Sequence, residues 1–108
     1  MQKTEKTSSA TQKAFEALAA RLAVETGSMF GMSVLKAKGK AFTGIFGDAL
    51  VFKLTGVTHA TALGLKGAAL FDPSGAGRPM KEWVVVPKAH AKSWDGFADA
   101  AFAYVGSK

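Results

Sequence analysis

Eight carboxylates, two histidines and no cysteine are the groups this chain of 108 residues offers for acid–base, metal or nucleophilic chemistry. The acids are Glu5, Glu16, Glu25, Asp48, Asp72, Glu82, Asp95 and Asp99. None stands beside another at a spacing that sets up general acid–base work. Asp95 and Asp99 lie four apart in a helical pattern and are expected to face water. His59 and His90 are distant in sequence, and neither belongs to a metal-binding spacing such as HExxH. No GxSxG elbow presents a serine nucleophile. Gly75-Ala76-Gly77-Arg78 is glycine-rich, but Pro79 and a strand follow it. A phosphate cradle would need a helix N-terminus there. The expectation is a chain with no catalytic residues, no cofactor and no metal.

One constellation suits binding. Arg78, Met80, Lys81 and Trp83 flank a loop-to-strand junction, and Lys36, Lys38 and Lys40 cluster at a predicted hairpin. A cationic rim beside an exposed methionine or tryptophan would hold an anionic aromatic partner by charge and stacking. The competing reading makes Met80 and Trp83 core residues and leaves the lysines to solubilise an edge.

The elements that must position these residues are organised around Met29–Thr55. Turn chemistry at Gly39 and at Gly47-Asp48 divides this stretch into three strands. Period-two alternation places Phe42, Gly44 and Phe46 on one face and Ala41, Thr43 and Ile45 on the other. In the next strand Leu50, Phe52 and Leu54 oppose Ala49, Val51, Lys53 and Thr55. Gly44 in mid-strand marks a bulge or a close approach. Before the meander, Phe15, Leu18 and Leu22 predict an amphipathic helix over 11–26, capped by Thr11, Ser8 or Ser9 and ended by Gly27. After it come a short helix over 56–66, a strand over 68–71, a loop over 72–79 and the β-branched strand Glu82–Val86. A last helix is expected over 88–104, with Trp94, Phe97, Ala101 and Phe102 at helical spacing and a kink or tight contact at Gly96.

This pattern predicts an α+β two-layer sandwich, a five-stranded antiparallel sheet with helices on one face, in the order α-β-β-β-α-β-β-α. The core would draw on Phe15, Leu18, Leu22, Phe42 or Ile45, Leu50 or Val51, Val84 or Val85, Phe97 and Ala101. Residues 1–9 read as a flexible polar tail, and 10–108 as one domain.

The formal charge is +6, with 14 basic residues spread along the chain. That balance permits attraction to nucleic acid, although only two of the basic residues are arginines, the side chain best suited to gripping phosphates and base edges. The polar start resembles no secretory signal and no apolar run is long enough to cross a bilayer, so a cytoplasmic protein is expected.

Taken in order, MFGM (29–32), KGKAF (38–42), DALVFKL (48–54) and FDP…GRPMKEWVVVP (71–87), with the helix after them, resemble the TfoX N-terminal domain family, related in fold to YjbR-type proteins. The resemblance spans Phe15 to Val105. It implies a small α+β domain with a regulatory role in a family whose named member regulates competence for DNA uptake. The chain ends where that domain ends, like the free-standing members, and the resemblance brings no catalytic residues.

The function expected is therefore a non-enzymatic binding or regulatory module acting through a protein or nucleic-acid partner, with homodimerisation left open. A direct, sequence-independent nucleic-acid binder using the lysine hairpin is the second expectation. A small-molecule or enzymatic pocket near Arg78 and Trp83 is the third.

Overall fold

The computed structural model describes residues 7–29, 31–72, 77 and 79–106. The elements are α1 (Ser9–Leu22), β1 (Glu25–Met29), β2 (Met32–Ala37), β3 (Lys40–Phe46), β4 (Ala49–Lys53), α2 (Gly56–Leu63), β5 (Ala69–Phe71), β6 (Met80–Pro87), a 3-10 turn (Lys88–Ser93) and α3 (Trp94–Gly106). They form an α+β fold with one open sheet in the order β1-β2-β3-β4-β6-β5, antiparallel at every ladder.

The sheet has six strands where five were expected, and the order is α-β-β-β-β-α-β-β-α. The extra strand is β1, which the helical reading of 11–26 had absorbed. Helix α1 stops at Leu22 because Ala23 takes the left-handed conformation (φ 53°, ψ 48°), its N–H returning to the Ala19 and Ala20 carbonyls. Alanine is a rare occupant of that position, so the sequence directs the helix stop to Gly27. Gly27 instead lies inside β1, opposite Val34.

A second correction concerns β3. Leu35 pairs with Thr43 and Lys36 with Ala41, which leaves Phe42 as the extra residue of a bulge. The bulge inverts the alternation along the strand. Phe42 and Ile45 both enter the core against the helices, while Ala41 and Phe46 join a cluster on the opposite side. Thr43, opposite Phe52, is fully buried and its hydroxyl donates to the Val51 carbonyl at 2.6 Å. Gly44 then meets a close approach. A side chain there would begin 2.7 Å from the Met32 methyl and 3.0 Å from the Ser33 carbonyl.

Between sheet and helices lie Phe15 and Leu18 from α1, Ala62 from α2, and Phe97, Ala98, Ala101 and Val105 from α3, packed on Leu35, Leu50, Phe52, Val84 and Val86. Trp94 closes this layer, its indole N–H donating to the Val86 carbonyl at 3.1 Å. The last helix also differs from expectation. Lys88–Ser93 is a 3-10 turn with a kink at His90 (φ −109°, ψ 26°), and α3 proper begins at Trp94. Gly96 has open space around it, so the irregularity sits six residues earlier than Gly96 suggests. Among the described residues no helix is long and apolar enough to cross a membrane.

Candidate functional site

Strand pairing sets out, as rows of side chains, the sheet face that no helix of the described residues covers (the helix-free face), because directly opposed residues share a face. One row runs from Glu25 to Lys36 to Ala41, and on the other side of the β3 bulge Lys53 opposes Trp83. The next holds Gly27, Val34, Gly44, Val51, Val85 and Ala69. At the far end Met29 opposes Met32, and Phe46 opposes Ala49 and then Pro87. The face is thus cationic at one end, floored by β-branched residues in the middle, and rich in methionine and phenylalanine at the other.

This face carries its own buried cluster. Val51, Phe71 and Trp83 are its centre, and Met29, Met32, Phe46, Met80 and Val85 cover it while remaining partly exposed. Phe71 stacks edge-on against Phe46 at 5.1 Å between centroids. The gap at Gly44 admits the Met32 methyl, so a flexible thioether fills what a fixed side chain would occupy on a neighbouring residue.

The residues singled out in the sequence divide across this geometry. Trp83 is 5% exposed and belongs to the core of the second cluster, so its ring offers no stacking face. Met80 is half-buried on the same cluster and Lys81 is exposed beside it. Arg78, and most of the loop that carries it, lies outside the described residues. The hairpin lysines do not share one surface. The stem of Lys36 crosses Gly27, its Cε 2.7 Å from where a side chain would start. Lys38 and Gly39 form the two-residue turn, both at positive φ (52° and 78°). Lys40 pairs with Ala37, whose side chain is in the helix-side core. Trp83 is instead directly opposed to Lys53. Lys53 is also 3.8 Å from Glu82, whose carboxylate accepts from the Tyr104 hydroxyl.

Both histidines and the acids of α3 are tied to the scaffold. His59 donates through Nε2 to the Lys81 carbonyl at 2.7 Å, and His90 to the Lys66 carbonyl at 2.8 Å. Asp95 and Asp99 both meet Arg21, at 3.6 and 2.8 Å, on the surface between α1 and α3. Among the described residues no group of three or more His, Cys, Asp or Glu side chains is placed to hold a metal.

One polar cluster was not legible as a unit. Thr7 and Ser8, in the segment read as tail, dock on the β3–β4 turn; residues 1–6 lie outside the described residues. The Thr7 hydroxyl donates to the Gly47 carbonyl at 2.6 Å. Ser8 caps α1 by accepting from the Thr11 N–H, and it donates to Asp48 Oδ1 from its N–H at 3.0 Å and its hydroxyl at 2.8 Å. The Thr11 hydroxyl, then the two Ser8 donors, with Lys88 adding its charge, hold the Asp48 carboxyl well below the usual carboxylate range. The sequence signal was Ser8 among the candidate caps; its partner across 40 residues left none. No protein-family model, curated protein or solved structure matches this chain.

Proposed function

We propose that this chain is a non-enzymatic binding module of a regulatory kind, acting through a protein partner seated on the helix-free face of its sheet. The observation that carries this reading is the composition of that face. Half-exposed Met29, Met32, Phe46 and Met80 cover a buried floor, beside Lys36 and Lys53. Unbranched thioethers adapt to a partner's contour, and apolar side chains edged by charge make the core-and-rim composition of protein interfaces. Such a face fits an apolar segment with acidic flanks. The ordered resemblance to the TfoX N-terminal domain supports the regulatory role, and a cytoplasmic setting goes with it. Direct nucleic-acid binding keeps the net charge in its favour, but Trp83 is too buried to stack a base.

The test is affinity capture from lysate of the native host, with and without nuclease, using the wild type, a Met29→Glu, Met80→Glu variant and a helix-side control, Lys92→Glu. The expected result is a protein retained by the wild type and the control, lost with the double variant, and indifferent to nuclease. Recovery of the chain alone in a larger assembly would identify the partner as a second copy. Capture that survives the double variant, or disappears with nuclease, overturns the reading.

A further inference from the structure

A cleft of about 560 Å³ opens on the other side of the sheet, where α1 runs into β1, the β2–β3 turn projects and α3 ends. Its size is within the ~300–1,000 Å³ of small-ligand sites. Leu22, Val24 and Phe102 supply apolar walls; each is half-buried and rests on the main core. Phe102 packs edge-on against Phe42, with 5.5 Å between centroids and 65° between planes, so this wall is continuous with the main core.

Charged residues of both signs line the mouth. They are Lys36, Lys38 and one acid among the described residues, Glu25, which is directly opposed to Lys36 across the β1–β2 ladder and shares its face. The Lys36 stem is drawn over Gly27 on the opposite face, which leaves Lys38 as the cation of the mouth. Lys38 is exposed in a two-residue turn and has no ion pair with a described residue. The carbonyl ends of α1 and α3 both reach this cleft and oppose an anion there, and Lys38 has to outweigh that of α3, since the α1 carbonyls are already met by N–H groups. Ala19 accepts from Val24 at 3.2 Å, and Ala20 accepts from Ala23 at 3.3 Å.

We infer that this cleft binds a small amphipathic anion, its apolar body against Leu22, Val24 and Phe102 and its carboxylate on Lys38. The site is separate from the helix-free face and does not depend on the partner-binding reading. Carboxylates attached to a compact apolar group of medium length fit it. Neutral analogues gain the walls alone, and cationic analogues meet Lys38 unfavourably.

The experiment is a backbone-amide NMR titration with octanoate, octanol and octyltrimethylammonium, each below its aggregation concentration. Octanoate should give saturable shifts at 37–39 and 103–106, with affinity at least about fivefold above octyltrimethylammonium. Lys38→Glu should reverse that order and leave octanol binding in place. Ala103→Trp fills the cleft from an exposed helical position and should abolish binding of all three, with both variants keeping dispersed spectra. Absence of a saturable shift, equal or tighter binding of the cation to the wild type, or binding unchanged by Ala103→Trp overturns the proposal. Shifts gathered at Met29 and Met80 also overturn it, and would place amphiphile binding on the helix-free face.

Discussion

Asp48 shows how much one side chain can hold together at the residue scale. Its carboxylate accepts from the Ser8 N–H and hydroxyl and lies 3.5 Å from Lys88, so the start of α1, the β3–β4 turn and the start of the 3-10 turn meet at one charge. The folded chain keeps this carboxylate ionised to lower pH than the unfolded chain, where an aspartate titrates near 3.9. Its contribution is therefore complete above about pH 5 and is lost as pH falls through the unfolded value towards the folded one. Urea-unfolding midpoints of wild type and Asp48→Asn should differ most at pH 7 and converge towards pH 2. Parallel curves across that range would show that the carboxylate's charge is not what fastens the turn. The residue types here were readable, since Ser8 and a Gly-Asp turn both have local signatures. Their partnership was not, because nothing local records a contact between residues 40 apart.

The departures from expectation at the scale of elements share one cause: tertiary packing overrides a local preference. Gly27 is the natural helix stop in the sequence, yet α1 ends four residues sooner at a left-handed Ala23, and the residues released become β1. A left-handed alanine costs about 1–2 kcal/mol, whereas glycine accepts that conformation freely. Glycine in turn loses more unfolded-state entropy on folding, an offset of about 0.4–1 kcal/mol. Ala23→Gly should therefore stabilise the chain by about 0.5 kcal/mol, the difference of those effects. A guanidinium midpoint shifted upward with unchanged slope is the expected reading, and a clear loss would mean that α1 is not ended by backbone conformation at Ala23. The β3 bulge follows the same logic. Gly44 signalled an irregularity, but only the pairing with β2 places it at Phe42, where it sends both Phe42 and Ile45 to the core. The central strands and the termini of the meander were legible because their turns carry glycine at positive φ, and β6 because it is β-branched and ends at proline.

At the scale of the whole molecule the decisive property is where a charge of +6 is laid. A sequence read in one dimension gathers Lys36, Lys38 and Lys40 into a single cationic hairpin, but the fold distributes them. Lys36 lies over Gly27 towards the helix-free face, Lys38 occupies the turn, and Lys40 is opposite Ala37, whose side chain belongs to the helix side. A duplex backbone lying on any one surface reaches about one of them. Each phosphate contact contributes about 0.9 to the slope of log affinity against log salt for duplex DNA. Changing all three lysines to alanine should thus flatten the slope by about 1, where a contiguous patch would lose between 2 and 3. Stability should hardly change, because exposed lysines contribute little. Fluorescence anisotropy with a labelled duplex and a labelled single strand, across several salt concentrations, measures this directly. The expected pattern is weak binding that fades towards physiological salt, with no preference for sequence. A slope that falls by two or more, in a variant with unchanged unfolding, would mean that the three lysines converge on one phosphate track. That outcome would transfer the functional surface from the methionine-bearing face to the hairpin.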